Sequence, residues 1–222
     1  MKSWPNDHPK AGIMAEKRSA IVAAARTEFF RLGYSDASMD GIAATAGVSV
    51  KTIYNHFRNK SELFSAVVEA ACADDGLFTQ ARSNAELAIK FAWFEDRSEQ
   101  GLANAGTQYL AHLLSTEQIA LYRIVTRDSE RFPELGELYA QNVARGRTRI
   151  LEAYLGQVAR LHGWKSFNAK KSASLVEALL RWDLFEKVLH GNAVVDATAI
   201  TRHAGKVAGV AWQLFALERE GG

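Results

Sequence analysis

Residues Ser38–Phe64, S-M-D-G-I-A-A-T-A-G-V-S-V-K-T-I-Y-N-H-F-R-N-K-S-E-L-F, contain the signals that decide the fold of this chain. Ser38 suits a helix N-cap, because its hydroxyl can accept a hydrogen bond from an unpaired N–H group of the first turn. Apolar residues then recur at the spacing of one helical face, at Met39, Ile42 and Ala46. Gly47 suits the helix end, because glycine adopts the left-handed conformation without steric cost. The segment therefore predicts a short helix that ends at Gly47.

A second short helix follows immediately, with Ser49 as its predicted N-cap. At 3.6 residues per turn, its apolar residues Val50, Ile53 and Phe57 fall on one side, and Tyr54 lies at the edge of that side. The opposite side carries polar and basic residues: Lys51, Thr52, Asn55 and His56. The pattern predicts a helix that packs on its apolar side and presents the polar side to a partner.

A third helix start is encoded at Asn59, where an N-cap residue is followed three positions later by Glu62, as in a capping box. Two short helices joined by a glycine turn, the second basic on its outer face, are typical of a helix-turn-helix that enters the DNA major groove. An ordinary helical hairpin is the alternative. Residues 51–60 contain three cations and a histidine but no acidic residue, and an ordinary hairpin has no need for such an excess of positive charge.

The pattern I-A-x-x-A-G-V-S-x-x-T-I-Y-x-H-F-x-x-K-x-x-L-F, residues 42–64, resembles the DNA-binding module of TetR-family transcriptional regulators. The resemblance extends back over residues 16–37, and residues 121–135 are more loosely similar to the ligand-binding domain of one subset of that family. It implies an all-α fold, in which a three-helix DNA-binding domain precedes a larger helical domain for ligand binding and dimerisation. The expected division is a flexible arm (1–14), the helix-turn-helix domain (15–60) and the effector-binding and dimerisation domain (61–222).

The DNA-binding residues predicted from the pattern and the resemblance lie on the two capped helices and at the next helix start. They are Ser38, Ser49, Val50, Lys51, Thr52, Tyr54, Asn55, His56 and Lys60. Thr52, His56 and Lys60 are expected to contact phosphates and so fix the register, whereas Val50, Lys51 and Tyr54 face base edges. The family varies at the place of Lys51, so the operator sequence does not transfer.

Composition supports an intracellular DNA-binding role. The formal net charge is +2, but residues 1–60 hold nine Lys or Arg against five Asp or Glu, so the positive charge lies in the predicted DNA-binding third. Cys72 is the only cysteine, which excludes an intramolecular disulfide and fits a reducing cytoplasm; a redox role for it stays open. No apolar run approaches the length of a membrane-spanning helix. Met14 is an alternative start.

The last two predicted helices, near residues 169–190 and 198–217, carry more apolar residues than one buried face needs. Burial on a second side by another copy of the chain explains this excess, and a deep monomer core is the alternative. The predicted homodimer interface comprises Leu175, Leu179, Leu180, Leu184, Val207, Val210 and Leu214. Glutamate at Leu180 or Val210 is expected to give monomers.

Aromatic residues spaced along the predicted second domain are candidates for an effector pocket: Phe91, Trp93, Tyr109, His112, Tyr122, Trp182 and Phe185. Packed core is the alternative. The few charges at these positions favour an apolar or aromatic effector. No sequence motif of a catalytic or metal site is present, and Glu186 with His190 reads as a hydrogen-bonded pair within a helix rather than a metal site.

The sequence therefore predicts a non-enzymatic, dimeric DNA-binding regulator without a cofactor, which the resemblance makes responsive to a small-molecule effector. A repressor is favoured over an activator, since no extra surface for recruiting polymerase is evident. A DNA-bound architectural or cell-cycle protein with the same head and no metabolite switch is the alternative.

Overall fold

The computed structural model is all-α over the residues that it describes, which are 9–73, 84–164, 167–182, 184–191 and 195–220. The helices are α1 (Pro9–Leu32), α2 (Met39–Ala46), α3 (Val50–His56), α4 (Lys60–Ala73), α5 (Asn84–Lys90), α6 (Glu99–Leu113), α7 (Thr116–Asp128), α8 (Pro133–Tyr139), α9 (Arg145–His162), α10 (Ala169–Arg181), α11 (Leu184–Leu189) and α12 (Ala197–Glu220). A 3-10 turn (Ala92–Glu95) precedes α6, and a π-helical turn (Ala140–Ala144) joins α8 to α9. The predicted fold class is confirmed.

The predicted flexible arm is partly wrong, because α1 already begins at Pro9. Proline fits the first turn of a helix, where its missing N–H has no intrahelical partner to lose. The rest of the predicted arm, residues 1–8, lies outside the described part of the chain. The side chain of Cys72, on which a redox role would depend, also lies outside it.

The chain divides into two compact units, and the division is not the predicted one at residue 60. The first unit consists of residues 1–74 and 120–142, and the second of residues 75–119 and 143–222. The chain therefore passes between the units three times, after residues 74, 119 and 142, and the second of these boundaries falls inside α7. As a result α4, most of α7 and α8 belong to the same unit as the helix-turn-helix.

The core of the first unit is built from the apolar faces of α1 to α4. Its fully buried side chains include Ile21, Phe29, Ile42, Ile53, Phe57, Leu63 and Phe64. Phe29 and Phe64 pack edge to face with ring centroids 5.1 Å apart, so α1 packs against α4, and α1 also packs against α2, which in turn contacts α3. Burying each side chain of this size stabilises the first unit by about 1.5–3 kcal/mol.

In the second unit α12 packs along α6, and α10 packs along α9. Gly106 on α6 allows a close approach: a Cβ there would lie 3.0 Å from Leu180 and 3.3 Å from Ala204. Tyr154 on α9 is fully buried and donates a hydrogen bond of 2.7 Å to the carbonyl of Asp96. These contacts fix α6 against α9, α10 and α12.

The prediction of one helix near residues 169–190 is wrong. The chain leaves the helix at Trp182, where ψ is 129°, and α11 starts at Leu184. Leu180 and Phe185 are both buried, yet positions five apart point about 140° away from each other on a continuous helix. The break lets both side chains turn inward, and no glycine or proline in the sequence marks it.

Candidate nucleic-acid interface

The helix-turn-helix is held by the local hydrogen bonds that its sequence predicts. Ser38 Oγ accepts from Gly41 N at 3.0 Å, and Ser49 Oγ accepts from Thr52 N at 3.1 Å. Gly47 adopts φ 65°, ψ 30°, in the left-handed region that strains residues with a Cβ. These three sites begin and end α2 and begin α3, so the angle between the two helices is encoded locally.

The helix α3 has the two faces expected of a recognition helix. Ile53 and the following Phe57 are fully buried, whereas Lys51, Tyr54 and Asn55 are exposed, with Tyr54 at 53%. Val50, Thr52 and His56 are half-buried at the edges of that face. An outer face of this kind has the dimensions and the donors to meet base edges and flanking phosphates in a major groove.

The start of α4 carries a variant of the predicted capping box. Asn59 Oδ1 accepts from Glu62 N at 2.8 Å, as predicted. The Glu62 carboxylate accepts from Arg58 N at 2.7 Å, one residue before the N-cap whose own N–H a capping box uses. The pair therefore fixes the sharp turn between α3 and α4 at Arg58.

The ammonium group of Lys60 contacts residues of the α1–α2 turn in its own compact unit. Lys60 Nζ donates to the carbonyl of Ser35 at 3.1 Å and lies 4.6 Å from the centroid of the Tyr34 ring. Burial lowers the pKa of Lys60. One of its three donors thus holds the turn between α1 and α2, and its phosphate contact stays a prediction.

Two basic residues of α1, Lys17 and Arg18, add to the candidate interface and were missed from the sequence. Burial, followed by the positive charges of Arg18 and Lys17, lowers the pKa of His56 at the end of α3. The Arg18 guanidinium also lies 4.2 Å from the centroid of the Phe57 ring. Lys17 and Arg18 stand four and three residues before Ile21, where the buried face of α1 begins, and only the contact of Arg18 with Phe57 shows that this end of α1 lies near α3.

The residues predicted to form an effector pocket are divided between the two units. Tyr122 lies in the first unit, with its ring 6.1 Å from that of Tyr139, and the other six lie in the second unit. Phe91 stacks on Trp93 at 5.2 Å, and Trp93 meets Tyr154 edge to face at 5.4 Å. Phe91 and Trp93 therefore pack against other rings as core.

Two further residues of that set, Tyr109 and His112, are buried on α6. Tyr109 donates to the Glu177 carboxylate at 2.9 Å, and burial together with that carboxylate raises the pKa of Tyr109, which remains a neutral donor. Glu177 also accepts from Thr148 at 2.6 Å. This network is a polar layer between α6, α9 and α10.

Trp182 and Phe185, the last of the predicted set, line a surface cavity. The cavity has a volume of about 490 Å³ and is lined by Ala178, Arg181, Trp182, Phe185 and Glu186. The Arg181 guanidinium covers the Phe185 ring at 4.6 Å from its centroid, and Trp182 is 75% exposed. His190 Nε2 lies 3.7 Å from a Glu186 oxygen, an ion-pair distance rather than the hydrogen bond expected from the sequence, and His190 follows the last residue of α11.

The predicted dimer residues fall into two groups. Leu180 and Val207 are buried inside the second unit, at 1% and 7% exposure, so they belong to its core and the use of Leu180 as an interface probe is wrong. Leu175, Val210 and Leu214 are exposed, and Leu179 and Leu184 are half-buried. Leu175 and Leu179 share one face of α10, and Val210 and Leu214 share one face of α12.

Comparison with known proteins identifies this architecture. Residues 21–67 match the sequence profile described as bacterial regulatory proteins, tetR family. Residues 100–212, half of the chain, match that of the C-terminal domain of AefR-like transcriptional repressors. The chain belongs to the TetR family. It is a DNA-binding transcriptional regulator, and both resemblances seen in the sequence are confirmed.

Individual TetR-family relatives agree with this assignment at different lengths. The transcriptional repressor BepR of Brucella suis biovar 1 is 24% identical over 197 residues, which cover 82% of this chain and 90% of BepR. The transcriptional activator FasR of Mycolicibacterium smegmatis is 44% identical over 54 residues, which cover 24% of this chain and only 25% of FasR. The solved structure of the flavonoid-responsive regulator FrrA is 25% identical with a TM-score of 0.71, covering 90% of this chain and 97% of that one.

The described residues contain neither a membrane-spanning helix nor a cluster of metal-ligating side chains. None of the helices there is long and apolar enough to cross a membrane. The same part of the chain contains no group of three or more His, Cys, Asp or Glu side chains placed to hold a metal ion.

Proposed function

We propose that this TetR-family regulator binds a palindromic operator as a homodimer, acts in the cytoplasm as a repressor, and is released by a small aromatic effector. The observation that carries the DNA-binding part is the outer face of α3, with Lys51, Tyr54 and Asn55 exposed over a core sealed by Ile53 and Phe57. Lys51 and Tyr54 face base edges. Thr52, His56, Lys17 and Arg18 flank them as phosphate contacts.

The electrostatics of the interface suit phosphate binding. Lys17, Arg18 and Lys51 bring positive charge to one side of α3, and no acid lies between residues 41 and 61. Phosphate contacts release condensed counterions, so binding by this surface is expected to weaken steeply with salt. The helix N-termini capped by Ser38 and Ser49 add partial positive charge for the same purpose.

The homodimer is supported by apolar side chains left exposed on the second unit. Leu175 on α10, Trp182 directly after α10, and Val210 and Leu214 on α12 are 38–75% exposed. Their burial by a second copy of the chain would remove apolar surface from water. The resulting dimer would present two helix-turn-helix motifs to one palindrome. Repression is favoured by the similarity to BepR over 90% of its length, whereas the match to the activator FasR covers only a quarter of that protein.

Genome-wide footprinting tests the operator proposal. The protein is expected to protect one or a few palindromic sites, because each head reads base edges and the dimer doubles that discrimination. The Lys51→Ala variant, footprinted under the same conditions, is the control: sites protected through base contacts should lose protection, whereas sites occupied through charge alone should lose much less. Many dispersed sites without a shared palindrome would instead support an architectural protein.

The aromatic effector is proposed from the similarity to FrrA, which is flavonoid-responsive, and from the many aromatic side chains in the second unit. A panel of flavonoids and related phenols should contain a compound that raises the melting temperature of the protein and weakens operator binding roughly 5- to 150-fold. Thermal-shift and fluorescence-anisotropy titrations measure the two effects. If every stabilising compound leaves operator affinity unchanged, the effector proposal fails.

A further inference from the structure

The turn between α1 and α2 is held by a residue that lies more than 90 positions away in the sequence. The Asp128 carboxylate, at the end of α7, accepts hydrogen bonds from the backbone N–H groups of Tyr34 at 2.8 Å and Ser35 at 3.2 Å. Asp128 is 5% exposed, and both partners belong to the same compact unit as Asp128. Two N–H groups of the turn are thereby satisfied by one buried charge.

The neighbouring Arg127 completes this contact. Its guanidinium donates to both oxygens of Asp128, at 3.1 and 3.0 Å, and to the carbonyl of Leu32 at 3.1 Å. Gly33 has φ 86°, and the guanidinium occupies the space that a side chain at Gly33 would need. Glycine is therefore required there both by its conformation and by the approach of Arg127.

The rest of the turn is fixed from the same side. The Ser35 carbonyl accepts from Lys60, and Arg131 donates to the Ser35 hydroxyl at 3.3 Å. The Tyr34 ring packs edge to face on Phe132, with centroids 4.9 Å apart, and on Phe64 at 5.3 Å. The segment 127–132 thus binds the backbone and the side chains of residues 32–35.

The position of this turn matters because it leads directly into the DNA-reading helices. Ser38, the N-cap of α2, follows the turn by three residues, and α2 packs against both α1 and α3. A displacement of the α1–α2 turn would move α2. Because the short turn at Gly47 joins α2 to α3, α3 would move with it. A recognition helix moved by a fraction of a hydrogen-bond length loses base contacts but keeps its charge near phosphates.

We propose that Asp128 is a positioning residue for operator recognition: it holds the α1–α2 turn, and through it the angle at which α3 meets DNA. This inference rests on the proposed operator binding by α3. Burial opposes ionisation of Asp128, but the hydrogen bonds from Arg127, Ser35 and Tyr34 outweigh it and keep the pKa of this carboxyl below its ordinary value. The charged, acceptor-only form is therefore the one present near neutral pH.

The test is Asp128→Asn in the full-length protein, measured against operator and random DNA. Asparagine has nearly the same size but carries no charge, and if its one oxygen keeps the Tyr34 and Ser35 N–H groups, its NH2 group faces the Arg127 Nε–H donor instead of accepting from it. Operator affinity should fall at least about tenfold per head, because hydrogen bonds to a charged group are among the stronger ones. Affinity for random DNA should stay equal or rise slightly, since a negative charge is removed. Hydrogen exchange at the Tyr34 and Ser35 amides should quicken.

Two further variants separate positioning from general damage. Ile21→Val trims a buried α1 side chain away from the turn and should leave both DNA affinities unchanged at a temperature where the protein is folded. Arg127→Ala removes a half-exposed side chain and should fold even if Asp128→Asn does not, with a smaller loss confined to the operator. If Asp128→Asn lost affinity for operator and random DNA in the same proportion, or bound the operator as tightly as the wild-type protein does, the positioning role alone would be overturned. Failure of the wild-type protein to bind any palindrome would instead overturn the proposed function.

Discussion

Replacing Val210 with glutamate should convert the protein from a dimer into a monomer and reduce operator affinity at least about a hundredfold. Val210 is 49% exposed on α12, next to Leu214 on the same face, so the side chain can be changed without disturbing the buried core. In a symmetric dimer each substitution appears twice at one interface, and like charges placed together there cost several kcal/mol. A monomer reads only one half-site.

Sedimentation velocity gives the oligomeric state of Val210→Glu, and fluorescence anisotropy gives its operator affinity. Thr201→Glu is the matched control, because it adds the same charge at an exposed position about 180° around α12. That control should remain dimeric and bind normally. A Val210→Glu protein that still sediments as a dimer would place the interface elsewhere. Leu180→Glu cannot serve here, since Leu180 packs against Gly106 inside the protomer.

The helix-turn-helix could be predicted from sequence because its determinants are local. Ser38, Gly47 and Ser49 act on backbone groups within three or four residues of themselves, and the pattern of Ile53 and Phe57 shows which face of α3 is buried. Such signals remain legible without knowledge of the tertiary structure. The same reasoning predicted the cap at Asn59, although the exact partner of Glu62 differs.

Features that depend on packing could not be read in the same way. The contact of Asp128 with Tyr34 and Ser35 joins segments 93 and 94 residues apart, and nothing beside Asp128 in the sequence indicates it. The helix break at Trp182 follows from the need to bury both Leu180 and Phe185. Apolar periodicity also did not distinguish Leu180, which is core, from Leu175, which is exposed, because both lie on an apolar helix.

The recognition helix itself is tested by comparing Lys51→Ala with Lys17→Ala. Lys51 is exposed on the outer face of α3 near its start, where a lysine can donate to guanine O6 and N7. Its loss should cost about 1–3 kcal/mol per half-site on the operator, and much less on random DNA. Preference at one symmetric base position should relax at the same time. Binding to a panel of single-base operator variants measures both effects.

Lys17 is exposed on α1 and not on the outer face of α3, and its charge adds to burial and to Arg18 in lowering the pKa of His56. A phosphate contact carries no sequence information, so Lys17→Ala should weaken operator and random DNA alike. With two copies in the dimer, the log–log slope of affinity against salt should flatten by roughly 2, at about 0.9 per phosphate. The reverse pattern, with base preference changed by Lys17→Ala and uniform loss from Lys51→Ala, would mean that α1 rather than α3 reads the bases.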